Sequence, residues 1–184
     1  MQLLCYPEAE VPEPLRRQVL RLRAQAWPPD GDDFHDPALR PLSMLLVSDG
    51  ALRCALDVLS TTIVHRGSTY AASGLSTVVT DQAYRGAGHG RQLVMAAKAL
   101  IAGSGADLGL FTCDRPLRRF YESAGWTTLA GAVLVGGTRE DPFPSDQFDK
   151  VTMAAFFSEL GKGNAGQFEH SRIELYPGSI DKLW

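Results

Sequence analysis

Between Tyr84 and Val94 the chain reads YRGAGHGRQLV, with glycine at 86, 88 and 90 directly before an apolar run of helical spacing. Such spacing keeps side chains away from a stretch of backbone. Two purposes fit: a tight turn that needs positive φ, or an anion held by successive backbone N–H groups at the positive end of a helix. The phosphate loop of nucleotide hydrolases is excluded, because it needs Lys followed by Ser or Thr where His89, Gly90, Arg91 and Gln92 stand. A dinucleotide loop needs GxGxxG directly on a first strand, and the spacing here is GxGxG after a run of strands. A second stretch, RRFYESAGW at 118–126, carries Tyr121, whose neutral phenol can donate a hydrogen bond to developing negative charge without first being deprotonated. Tyr121 also fits the apolar stripe of its own helix, where a half-buried tyrosine is ordinarily packing. His35, His89 and His170 show no ligand spacing, and Cys5, Cys54 and Cys113 form no CxxC pair, so no metal is expected.

The surrounding pattern places these residues. Leu15, Val19, Leu22 and Ala26 recur at helical spacing between Pro12 and Pro14 on one side and Pro28 and Pro29 on the other. The acidic segment PPDGDDFHDPALRP reads as a loop. From Ser43 to Thr80, β-rich runs are separated by Asp49-Gly50 and Arg66-Gly67, which predicts a three-stranded antiparallel meander. The glycine loop follows the third strand. A helix then runs through Leu93, Val94, Ala97, Leu100 and Ile101 until Gly103 and Gly105, and ADLGLFTC is a further strand. Asp114 is placed as an N-cap before Pro116, with a helix through Leu117, Phe120, Tyr121 and Ala124 closed by Gly125. WTTLAGAVLVGG and FDKVTMAAFF read as two late strands, SELGKGNAGQ as a mobile loop, and the end RIELYPGSIDKLW as unusually apolar for a terminus.

At 184 residues, with 45% apolar and 21% charged residues, the expectation is one well-buried α/β domain spanning 1–184. A formal charge of −3 offers no basic footprint for nucleic acid, and a cationic small molecule is the more natural guest. The dispersed cysteines fit a reducing cytoplasm, and no window suits a signal peptide or a membrane span. The chain is therefore expected to be cytoplasmic, with no membrane partner.

Strand, Arg85-x-x-Gly88-x-Gly90, helix, strand and then a helix carrying FYESAGW together resemble the GNAT superfamily of N-acetyltransferases. The resemblance runs from about Leu45 to Val135 and implies a mixed, mostly antiparallel sheet splayed around an acetyl-CoA site and flanked by helices. It implies that Arg85, Gly86, Ala87, Gly88, His89, Gly90 and Arg91 hold the CoA pyrophosphate, and that Val78, Val79 and Thr80 pair with the pantetheine amides as an added strand. Tyr121 would protonate the departing thiolate, and Asp114 stands where relatives place a CoA-contacting asparagine. Many relatives carry a glutamate on the strand before the loop, where this chain has Ser76 and Thr77; Asp57 and His65 are alternatives for the base, which stays unassigned.

The YRG of the loop, the RRFYESAGW helix and the acid-x-x-Trp ending look most like the aminoglycoside 2′-N-acetyltransferases. That likeness implies an acceptor site of Asp30, Asp33, Asp36, Ser76, Asp181 and Trp184. The expected partner is a small-molecule amine, with a homodimer left open. The competing reading is a module that binds acetyl-CoA as a sensor or assembly subunit without transferring it.

Overall fold

The computed structural model describes residues 1–27 and 34–175. In chain order the elements are β1 (Gln2–Pro7), α1 (Glu13–Arg23), β2 (Leu42–Ser48), β3 (Ala51–His65), β4 (Ser68–Thr80), α2 (His89–Gly103) and β5 (Leu108–Asp114). They continue with α3 (Arg118–Ser123), β6 (Thr127–Thr128), β7 (Val133–Gly137), β8 (Pro142–Pro144), β9 (Lys150–Phe156), α4 (Glu159–Gly163) and β10 (Arg172–Glu174). The main sheet has the order β1-β2-β3-β4-β5-β9-β6, and β10-β7-β8 form a second, smaller sheet. Within the main sheet β4 and β5 run parallel, while the other neighbours are antiparallel.

The hairpins fold as their turn residues dictate. Asp49 and Gly50 have φ of 54° and 74°, Arg66 and Gly67 47° and 81°, so both turns take the twist that suits paired strands. Alternation along the strands then sends Met44, Leu46, Leu56 and Leu75 to one face, under Leu93, Val94, Ala97 and Ile101 of α2. Leu45, Val47, Ala55 and Val79 go to the other, under Val19 and Leu22 of α1.

Strand β4 sets the geometry of the middle. Against β3 it is paired from Ser68 opposite His65 to Thr80 opposite Cys54. Against β5, among the described residues, it pairs only at Ala72 with Leu108 and Ser73 with Gly109, so the two strands part beyond Ser73. The register against β3 slips once: Ser76 faces Asp57 and Val79 faces Ala55. Thr77 and Val78 therefore share one partner position in a β-bulge, and Thr77 takes a φ of +49°. A bulge turns two successive side chains to the same face. Here these are Ser76 and Thr77, both toward α1.

Two expectations need correction, and one strand is new. SELGKGNAGQ is not a loop: Ser158 caps α4 by accepting from Gly161 N–H, and a 3-10 turn follows at Ala165–Phe168. WTTLAGAVLVGG is not one strand, since β6 joins the main sheet and β7 the smaller one. Arg172–Glu174 is a strand, parallel to β7, with Ile173 fully buried. Among the described residues no helix is long and apolar enough to cross a membrane.

Where β4 and β5 last touch, packing leaves no room for a methyl group. A Cβ on Gly109 would stand 2.6 Å from Cζ3 and 2.7 Å from Cη2 of Trp126, a buried ring set edge-on against Phe111. Gly109→Ala is expected to lower the unfolding free energy by about 1–3 kcal/mol, the usual cost of overpacking, as measured by urea denaturation. An unchanged midpoint would show that Trp126 yields without cost.

Candidate active site

The three loop glycines serve different ends. Gly86 and Gly88 have φ of 81° and 84°, and a Cβ on either would meet nothing within 4 Å, so conformation requires them and the space above them is open. Gly90 is required by packing: a Cβ there would lie 2.8 Å from Thr80 Oγ1 and 3.4 Å from Phe120 Cζ. Its lack of a side chain lets the start of α2 rest on β4. Gly88 is the N-cap of α2 and supplies no side-chain bond, while the first intrahelical bond runs from Gln92 N–H to Gly88 O, 3.0 Å. The N–H groups of the first turn thus point along the axis with the positive end of the helix dipole. The loop is anchored from outside by the Arg53 guanidinium, 4.0 Å over the Tyr84 ring, and by Arg85 Nε donating to Thr80 O. Arg91 Nε donates to Ser123 O at 2.9 Å, so that side chain ties α2 to α3.

Val78, Val79 and Thr80 lie on the part of β4 that has left β5, with its edge unpaired by that strand. Val78 packs with the α2 core and Val79 with the α1 core. Tyr121 of α3 belongs to the α2 side, buried with its ring edge-on to Phe111 and Phe120, both at 4.9 Å between centroids. Burial, followed by the charges near Cys113 and Asp114, pushes its phenol well above the ordinary value, so it remains a proton donor. Asp114 ends β5 without capping the turn that follows; its carboxylate instead accepts from Lys150 Nζ at 2.8 Å, because Lys150 is its antiparallel partner.

On the α1 side the sheet carries a polar network. Glu8, in the turn after β1, accepts through Oε2 from the His35 backbone N–H and through Oε1 faces His35 Nδ1, both at 2.9 Å. His35 Nε2 meets Ser76 Oγ at 3.0 Å. Asp57 of β3 accepts from Ser43 Oγ at 2.6 Å, from the Thr77 hydroxyl and from the Arg23 guanidinium, which also lies 3.5 Å from Glu8. Glu8 and Asp57 are 5% and 2% exposed, so both depend on these partners. Burial alone would raise the Glu8 carboxyl; the bonds from His35 and the charge of Arg23 outweigh it and hold Glu8 below the usual carboxylate value. Burial alone would likewise lower His35, but the Glu8 bond and the charges of Asp57 and Glu8 prevail over Arg23 and raise it. Ligand atoms of Glu8, His35 and Asp57 lie within 4.8 Å of one another, a spacing that would suit a metal, yet the Arg23 guanidinium already supplies the cation between the two carboxylates.

Beside this network a cleft of about 270 Å³ runs under α1, lined by Glu8, Glu13, Arg16, Arg23, Phe34 and Ser43 among others. A larger hollow of about 480 Å³ lies by α4, with Lys98, Lys162 and Phe156 in its wall, and contains none of the network or loop residues.

The two alternatives for the base separate. Asp57 sits in the network, whereas His65 is eight residues further along β3, roughly 25 Å at strand rise. There it stacks on Phe168 at 4.5 Å and bonds Gln167 O, a packing role. Ser76 is in the network as well. Asp36 caps the turn Pro37–Leu39 by accepting from Ala38 N–H. Asp30, Asp33, Asp181 and Trp184 lie outside the described residues. Glu8, Arg23, Ser43 and the pairing of His35 have no local signature; the nearest signal was the double hydroxyl Ser76-Thr77 at a position expected to carry an acid.

No protein-family model and no curated protein matches the chain. Solved structures do. ElaA of Escherichia coli superposes with a TM-score of 0.60 at 18% identity, over 84% of this chain and 99% of that one. An acyl-CoA N-acyltransferase from Pseudomonas aeruginosa gives 0.58 at 20%, over 83% and 97%. An aminoglycoside 6′-N-acetyltransferase complexed with coenzyme A gives 0.61 at 14%, over 86% and 98%. At these identities the likeness speaks for the fold, and the fold is that of the GNAT acetyltransferases.

Proposed function

We propose that the chain is an acetyl-CoA-dependent N-acetyltransferase that moves the acetyl group to a primary amine of a small cationic acceptor by direct attack. The observation that carries this reading is the edge of β4 beyond Ser73, which leaves β5 and leads to the open backbone over Gly86 and Gly88. An extended pantetheine would pair its amides with Val78, Val79 and Thr80, and its pyrophosphate would meet the N–H groups from Arg85 to Arg91 at the start of α2. The amine nitrogen bonds to the thioester carbon, the carbon–sulfur bond breaks, the thiolate takes a proton from Tyr121, and the proton shed by the new amide nitrogen restores the phenol, which burial keeps protonated. Asp114 would border the cofactor at the end of β5.

For the acceptor, the cleft under α1 sets Glu8 and Glu13 against Arg16 and Arg23, so the preference for a cation rests on Asp30, Asp33, Asp181 and Trp184, which lie outside the described residues. The aminoglycoside class is supported by the loop, the RRFYESAGW helix and the acid-x-x-Trp ending, and a solved neighbour acts on the 6′ amine of such a compound. Tyr121 favours an enzyme over a non-catalytic sensor, in which the same ring would serve packing alone.

Gly88→Glu is expected to abolish acetyl-CoA binding in titration calorimetry by placing a negative side chain beside the pyrophosphate. Gly88→Asn, which tolerates positive φ, should retain most of it. Equal loss in both would mean that the turn alone, and no anion, explains the glycine. Tyr121→Phe should leave acetyl-CoA affinity intact while slowing thiol release with an amine panel by about 10². Unchanged turnover would return Tyr121 to packing.

A further inference from the structure

We propose that Ser76, His35 and Glu8 form the proton path that takes the proton from the acceptor amine. The inference rests on the acetyl transfer proposed above and supplies its missing base. A primary ammonium ion has no lone pair to attack a thioester, so a group on the acceptor's side must first remove a proton. Tyr121 lies on the α2 side of the sheet and Ser76 on the α1 side, with the parting of β4 and β5 between them. The leaving-group acid and the acceptor's base are thus on opposite faces.

The chain of bonds has a direction. Both oxygens of Glu8 are engaged by His35, one at the backbone N–H and one at the ring. An ionised Glu8 therefore draws the imidazole proton to Nδ1, which leaves the Nε2 lone pair facing Ser76 Oγ. Ser76 receives the amine's proton and passes its own to Nε2 in the same movement. No bond forms to the serine; the ammonium becomes an amine and the imidazole an imidazolium, which later releases its proton to solvent. Among the described residues, Glu8 after β1 and Asp57 on β3 favour the imidazolium, and Arg23 of α1 opposes it. The balance raises the imidazole, which strengthens it as a base, and the path works only once pH exceeds that raised value. Thr77 cannot replace Ser76, because its hydroxyl is committed to Asp57. Ser76 reaches Nε2 from its regular position opposite Asp57, and the bulge that follows turns Thr77 to the same face.

Nitrogen resonances of His35 in the full chain test this without an acceptor. Saturating coenzyme A should shift the Nε2 signal and its titration in the wild type, and Ser76→Ala should remove that response while binding coenzyme A normally by calorimetry. If coenzyme A binds and His35 does not respond, the path does not face the thioester and the proposal fails. If coenzyme A does not bind at all, the acetyltransferase reading fails first and the path with it. Kinetics add a second readout, with spermidine and kanamycin as protonated amines and hydroxylamine as one largely unprotonated near neutrality. His35→Gln should slow the alkyl amines by about 10²–10³, recover as pH rises toward their own pKa, and change hydroxylamine and the acetyl-CoA dissociation constant by no more than about twofold. Equal losses for all three amines, or an acetyl group found covalently on Ser76, would overturn the relay.

Discussion

Everything in the molecule turns on the parting of β4 from β5. Two parallel strands that pair at Ala72–Leu108 and Ser73–Gly109 and then separate expose backbone N–H and C=O groups in the middle of a sheet, where such groups are ordinarily paired. The separation is held open from both sides. On one face α2 stands close to β4 because Gly90 has no side chain to strike Thr80, and Phe120 of α3 fills the adjacent space. On the other, the bulge at Thr77 ties β4 to Asp57 of β3. The same features that prevent a continuous sheet therefore build an extended, donor-bearing edge that ends at a helix N-terminus.

The network on the α1 face is a structural clamp as well as a chemical one. It draws on the turn after β1, on α1, on the segment before β2, and on β2, β3 and β4, all through Glu8, Arg23, His35 and Asp57. Buried ion pairs of this kind add little net stability compared with apolar packing, yet removing one member leaves a buried charge unmatched at a cost of about 3–5 kcal/mol. Such an arrangement specifies where α1 sits against the sheet. It also holds a histidine whose basicity is set by two carboxylates and moderated by one guanidinium, a combination that apolar residues could not provide.

What the sequence by itself determined were the features whose causes are local. The Asp-Gly and Arg-Gly turns set the hairpins, the apolar stripe from Leu93 to Ile101 set α2, and the alternate glycines marked a turn before a helix. Gly86 and Gly88 announce their positive φ through composition alone, while the reason for Gly90, a contact with Thr80 and Phe120, is visible only when α2 lies on the sheet. α4 and β10 escaped because helices and strands this short carry too little periodicity, and their partners, Asp107 and β7, are distant in the chain. The Glu8–His35–Ser76 path was beyond reach for the same reason in stronger form. Its members are separated by 27 and 41 positions and converge only through long-range packing against β4, so no spacing in the linear chain could express a hydrogen-bond geometry that the tertiary fold alone creates.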